Sequence, residues 1–199
     1  HAAADYPGAF LIIVVDDHST DATAARTREA ALGGRRTTDL IEAPPLPDGW
    51  TGKLWAMNAG LARAAKTAPD ADYVLLTDAD IVLAPNTLRR LVAQAENTGA
   101  ALTSLMARLD ARGIWGGLLV PAFVYFFYKL YPFHVANDPA AKLAAAAGGC
   151  MLVRREALDA IGGVNTIRGR LIDDCALAKA IKNSGRPVWI GVANDEAIS

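Results

Sequence analysis

Apolar residues fall in short blocks separated by helical stretches of mixed polarity. Residues 10–15 are continuously apolar and rich in β-branched side chains, which predicts a strand buried on both faces. Asp16-Asp17-His18-Ser19-Thr20-Asp21 follows, where Ser19, Thr20 or Asp21 is placed to N-cap an Ala-rich helix. That helix runs to about Leu32, and Gly33-Gly34 ends it. Residues 40–43 predict a weak strand, and the Pro- and Gly-rich stretch 44–49 a loop. Leu54, Met57 and Leu61 recur at helical spacing within a helix predicted over 51–66. Tyr73–Thr77 is the next strand, Pro85 opens a helix to about Asn97, and residues 100–106 form another apolar run.

Strands alternating with helices imply βαβ units, and so an α/β fold with a mainly parallel, Rossmann-like sheet flanked by helices. Ligands of such sheets bind beyond the carboxyl ends of the strands. Asp16-Asp17 and Asp78-Ala79-Asp80 both fall at predicted strand ends. Residues 113–133 break the rhythm: they are apolar and aromatic, with Pro121 and Lys129 inside. The uncharged part is short for a membrane span. Trp115, Tyr125, Tyr128 and Tyr131 suit a bilayer interface, so an interfacial or acceptor-side helix is favoured over plain core.

Composition narrows the classes. At 199 residues with 52% hydrophobic and 21% charged residues, the chain has the material for one packed domain. A net charge of −1 gives no reason to expect nucleic acid as partner. Cys150 and Cys175 match no metal-ligand spacing and read as two reduced thiols of a cytoplasmic protein. The chain begins at His1 rather than Met and reads as an internal fragment without a signal peptide. Two parts are expected, residues 1–107 and residues 108–199, the second with the apolar segment 113–133.

The candidate chemistry is acidic. In extended backbone, residues i and i+2 project to one side, so Asp78 and Asp80 are read as addressing one ligand. Two hard oxygen donors suit Mg²⁺ or Mn²⁺, with a substrate diphosphate completing the shell. The bland alternative is an acidic turn capping the next helix. Asp16 and Asp17 suit hydrogen bonds from imide N–H or ribose hydroxyls, or else a cap. Asp173-Asp174 opens an amphipathic helical stretch, where capping competes with a general base whose pKa its neighbour raises. Lys53, early in a helix behind a Gly-containing loop, is placed to meet a diphosphate or to be merely solvated. Gly148-Gly149 permits close backbone approach to a ligand, and Arg154-Arg155 is expected to add positive charge nearby. His18 and His134 lack ligand spacing and are assigned to no metal.

Taken in order, VVDDHSTD (14–21), GKLWAMNAGLARA (52–64), LLTDAD (75–80), GGCMLVRREAL (148–158) and IDDCALAKAIKNSGRPVWIG (172–191) resemble the family 2 glycosyltransferases of the GT-A fold. The segments 44–61, 119–133, 137–139 and 144–158 resemble its hopanoid-biosynthesis-associated branch. The resemblance implies that Asp16 and Asp17 hold the uracil and ribose of a nucleotide sugar. Lys53 faces the diphosphate and Asp78 the ribose or sugar, while Asp80 binds Mg²⁺ or Mn²⁺. Gly148 and Gly149 line the donor-sugar and acceptor side. Asp174 is the base and Asp173 stands where the family has Glu. The family's first strand is missing upstream of His1 by this reading, as are the processive Gln-x-x-Arg-Trp motif and C-terminal membrane helices.

The implied reaction is metal-assisted inverting transfer from a UDP-sugar to a hydroxyl acceptor. A membrane lipid such as a hopanoid is the expected acceptor, at the cytoplasmic face of a bacterial inner membrane. Three rivals remain at this level. A two-component receiver domain also places acidic pairs after strands, and phosphorylation by a small phosphodonor would support it. A dehalogenase-type phosphatase would want its Asp-x-Asp strand near the chain start. A non-catalytic lipid-binding module would explain the aromatic segment and leave three acidic clusters unexplained.

Overall fold

The computed structural model describes residues 3–34, 36–109, 111–193 and 197–198. Strand β1 (Ile12–Asp16) pairs in parallel with β2 (Thr38–Glu42), and helix α1 (Thr23–Gly33) connects them. Helix α2 (Gly52–Thr67) leads to β3 (Tyr73–Thr77), a two-residue β4 (Val82–Leu83), α3 (Thr87–Thr98) and β5 (Leu102–Met106). Helices α4 (Gly113–Leu130) and α5 (Phe133–Ala136) precede β6 (Cys150–Arg154) and α6 (Arg155–Ala160). A 3₁₀ turn (Gly163–Ile167), α7 (Asp173–Asn183), β7 (Val188–Val192) and β8 (Ala197–Ile198) follow.

The fold is α/β as expected, but the sheets are mixed rather than mainly parallel. The four-stranded sheet has the order β3-β6-β5-β7, with β6 antiparallel to both β3 and β5 and only β5–β7 parallel. The long detour through α4 and α5 brings the chain back to the sheet in the opposite direction, which alternation of strands and helices does not reveal. An antiparallel strand at the sheet centre also removes the receiver-domain reading, which needs parallel strands throughout.

Period-two alternation divides the sheet's side chains between two layers. Leu76, Leu102, Met151, Val153 and Val188 face α2, α6 and α7, packing against Leu54, Leu177 and Ile181. Leu105, Cys150 and Leu152 face α3, against Leu91 and Ala95. The expected burial of the first strand on both faces does not hold: every residue of β1 is only half-buried. β1 belongs to a two-stranded sheet, and among the described residues β2 is its only strand partner. Helix α2 covers one face of β1, where Gly60 lets it approach closely; a Cβ there would meet Val15 Cγ2 at 3.1 Å.

Two polar clamps fix the stretch between α5 and β6. Lys182 Nζ donates to the carbonyls of Ala136, Asp138 and Leu143 at 2.7, 2.8 and 2.6 Å. Asn137 mimics a strand partner, donating to Ile190 O and accepting from Ile190 N. These bonds satisfy backbone groups that no sheet reaches.

Candidate active site

Register sets which end of the sheet carries the chemistry. Thr77 lies opposite Cys150 and Tyr73 opposite Arg154, so the Asp78 and Gly149 ends adjoin while Arg154 is four residues away. At about 3.3 Å per residue that is roughly 13 Å. Arg154 ion-pairs with Glu96 and stacks on Tyr73, and Arg155 donates to Ala68 O. The expected basic pair beside the glycines is therefore committed elsewhere.

Asp78, Lys53 and Asp173 meet. Thr51 caps α2 by accepting from Leu54 N–H, which places Lys53 in the first turn. Lys53 Nζ lies 2.9 Å from Asp78 Oδ1 and 3.4 Å from Asp173 Oδ2. Burial pulls the lysine pKa down, but the Asp78 hydrogen bond and the charges of Asp173 and Asp78 outweigh it, so the net shift is upward. Asp173 Oδ2 is buried and accepts no hydrogen bond.

Asp174 is held from two sides. Its Oδ2 accepts from Gly148 N–H at 2.9 Å and its Oδ1 from Cys175 N–H at 2.6 Å. Its pKa is raised, first by burial and further by the charge of Asp173; the two N–H bonds and Lys53 oppose the shift. The adjacent carboxylate contributes as expected from sequence, but burial is the larger cause. A Cβ on Gly148 would sit 3.4 Å from Lys53 Nζ and 3.5 Å from Asp174 Oδ2, filling the space between them.

Sequence reasoning missed the roles of Ser104, Thr77 and Cys175 in building this loop. Four successive residues are each fastened by a side chain from elsewhere. Cys175 Sγ donates to Ala146 O at 3.6 Å. The buried Ser104 hydroxyl accepts from Ala147 N–H at 2.8 Å and donates to Ala147 O at 3.2 Å. Asp174 takes Gly148 N–H, and Thr77 Oγ1 donates to Gly149 O at 2.9 Å. The available signal was the glycine pair itself: backbone in a buried loop needs borrowed partners.

The Asp78-Ala79-Asp80 reading needs a geometric correction. Strand β3 ends at Thr77 and residues 78–80 turn, with Ile81 N–H donating to Asp78 O at 3.3 Å. The extended-strand argument for one shared side therefore fails. Asp78 is half-buried on Lys53, and Asp80 is exposed. Asp17 adjoins this group, because a Cβ on Gly52 would lie 3.0 Å from Asp17 Oδ2. Asp16 accepts from Ser19 N–H, closing the turn after β1, and His18 pairs with Glu42 rather than joining the site. Among the described residues no three His, Cys, Asp or Glu side chains gather to hold a metal. Two carboxylates do suit Mg²⁺ or Mn²⁺, which commonly take one or two from protein and the rest from phosphate and water.

Carboxylates, one lysine and a glycine loop thus gather beyond the strand ends of an α/β core, where such folds bind their ligands. The family profile of glycosyl transferase family 2 matches residues 1–162, and the chain belongs to that family. Asp173 and Asp174 lie beyond the matched residues. No curated protein sequence matches the chain. The mannosyltransferase PcManGT from Pyrobaculum calidifontis, solved with GDP-Man and Mn²⁺, superposes with a TM-score of 0.68 at 24% identity. That match covers 99% of this chain and 50% of the other. S. aureus TarS 1-349 in complex with UDP-GlcNAc superposes with a TM-score of 0.61 at 15% identity, over 100% of this chain and 52% of the other. The chain thus spans about half the length of these structures, and at such identities they establish the shared fold.

Proposed function

We propose that the chain transfers a sugar from a nucleotide-diphosphate sugar, a UDP-sugar, to the hydroxyl of a membrane lipid, with inversion. The convergence of Lys53, Asp78, Asp173, Asp174 and Gly148 carries this reading. Asp174 takes the acceptor proton while the acceptor oxygen bonds the anomeric carbon and the carbon–oxygen bond to the diphosphate breaks. A base buried enough to raise its pKa, yet fixed by two N–H donors, is suited to that transfer. Lys53 faces the leaving diphosphate, Asp16 and Asp17 the nucleoside, and Gly148-Gly149 the donor sugar and acceptor. Asp173 orients Lys53.

Asp80 and Asp78 would hold Mg²⁺ or Mn²⁺, which neutralises the departing diphosphate when bound. Charge makes this need plain. Asp17, Asp78, Asp173 and Asp174 gather near Lys53, so added positive charge favours the entry of an anionic diphosphate. PcManGT was solved with Mn²⁺, which supports divalent metal use here. A hopanoid is the acceptor class that the branch resemblance suggests, and the cytoplasmic leaflet of a bacterial inner membrane is the place for it.

A thermal-shift screen of nucleotide sugars with and without Mn²⁺, followed by transfer assays on extracted membrane lipids, tests the proposal. A UDP-sugar should stabilise the protein only with metal and label a lipid. Stabilisation by no nucleotide sugar would overturn the reading.

A further inference from the structure

The covered positions of helix α4 fall in one stripe. Gly116, Val120, Val124, Phe127 and Tyr131, spaced four, four, three and four apart, are the only partly covered positions from 113 to 131. Val124, Phe127 and Tyr131 pack on the buried cluster of Met106, Phe133, Ala136, Ala145, Cys175 and Ile190. At 3.6 residues per turn this stripe occupies about 80° of the helix. Ile114, Trp115, Leu118, Leu119, Phe123, Tyr125, Phe126, Tyr128 and Leu130 are all exposed, the first two at 88% and 72%. On the same wheel they sweep about 220°.

That arc selects the occupant. A packing helix or a second copy meets an apolar stripe of about 100°, and the remainder would still face water. A lipid phase wraps any arc without shape complementarity. The aromatic residues Trp115, Tyr125 and Tyr128 lie within the exposed arc, and the only charge in the helix is Lys129 in its last turn, over the Tyr125 ring. Although α4 is long and apolar enough to cross a membrane, Val124, Phe127 and Tyr131 fasten its C-terminal half to the protein, which leaves too few free residues to span one. It must therefore lie against the bilayer surface.

The site lies beside it. Tyr131 and Phe127 pack against the cluster containing Cys175, the residue after Asp174. Leu171 and Ile172, immediately before Asp173, are 95% and 61% exposed. We infer that α4 and the Leu171–Ile172 pair form one bilayer-docking surface, which seats the Asp173-Asp174 end of the site at the lipid headgroups. The docking stands on its own geometry; the delivery of a lipid acceptor to Asp174 rests on the proposed transfer reaction.

Flotation of the 199-residue protein with phosphatidylcholine vesicles, and with vesicles containing added phosphatidylglycerol, tests the docking. The protein should float with both and remain bound in 1 M salt. Phe126→Glu and Leu118→Glu, at exposed positions that leave the core intact, should each weaken partitioning about 10-fold or more. Calorimetry of UDP with Mn²⁺ on the same variants should be unchanged, which separates the two proposals. Lost flotation with retained UDP binding locates the docking surface on α4; absent UDP binding with retained flotation would sink only the transfer reading. No flotation of the wild type, or equal flotation of both variants, overturns the inference. A concentration-dependent dimer abolished by Phe126→Glu without any flotation would assign the arc to a second copy instead.

Discussion

Asp174→Asn separates a base from a brace. Each carboxylate oxygen of Asp174 accepts a different backbone N–H, from Gly148 and from Cys175. Asparagine has one acceptor oxygen, so one of these donors must face an amide N–H. An orphaned buried donor costs about 1–3 kcal/mol. Removing a buried charge whose pKa burial has raised returns part of that. The net loss belongs at the lower end, about 1 kcal/mol, or about 2–4 °C in Tm for a chain of this size. Turnover is a separate matter, since loss of a general base typically lowers the rate about 10²–10⁴-fold. Single-turnover transfer, UDP calorimetry with Mn²⁺ and thermal melts on one preparation provide the readouts. The expected result is a small Tm loss, unchanged UDP affinity and a large fall in the chemical step. Asp174→Ala should match it in rate and exceed it in Tm loss, because both donors are then stranded. A folded Asp174→Asn protein with near-wild-type turnover refutes the base assignment. A loss of turnover matched by an equal loss of UDP binding would show that Asp174 only holds the Gly148 loop.

Other outcomes follow from the same geometry. Ser104→Ala strands the Ala147 N–H and should cost about 1–3 kcal/mol by chemical denaturation, with turnover falling more than UDP affinity. Asp80→Ala should abolish the Mn²⁺-dependent part of UDP binding in calorimetry. The raised Asp174 pKa favours its protonated form in the folded state. Its stabilising contribution is therefore present below the ordinary carboxylate value and lost as pH rises through the folded value, while activity rises through that same limb. The acid limb of kcat/KM should lie above the ordinary carboxylate range, move up in Lys53→Met and move down in Asp173→Asn. The Cys150 thiol, pushed up to about 12 by burial, should react with a thiol reagent only as the protein unfolds.

Local pattern disclosed the elements better than their arrangement. Strand β3 matches its predicted bounds, and the helices begin within about two residues of expectation, because periodicity and capping are local. Helix α1 starts at Thr23, where Asp21 Oδ1 accepts from Thr23 N–H, and α3 starts at Thr87 rather than Pro85. Strand direction is not local. Residues 150–154 carry an apolar run suited to either direction, and only the path through α4 and α5 turns β6 antiparallel. The carboxylates were legible because unpaired acids after apolar strands are conspicuous. Ser104, Thr77 and Cys175 were not, since a small polar residue in or beside an apolar run gives no sign of which distant loop it serves. Arg154-Arg155 misled for the same reason: nearness in sequence to Gly149 placed them at the wrong end of a strand.

Helix α2 explains why a site assembled from so many elements can be rigid. It packs on β1 through Gly60, while Leu54, Met57 and Leu61 enter the core beneath the four-stranded sheet. It is thereby held to the β1–β2 sheet and to the four-stranded sheet, which share no strand pairing among the described residues. Its first turn then presents Gly52 to Asp17 at the end of β1, and Lys53 to Asp78 at the end of β3. Those two contacts fix the distance between Asp17 and Asp78. Asp173 closes the arrangement from α7, because Lys53 reaches it as well. A lysine at this point does more than add charge. It joins three elements that the backbone leaves separate, with the Gly148 loop seated against it. Replacement by arginine would not preserve this, since a planar guanidinium cannot occupy the same point between Asp78, Asp173 and Gly148.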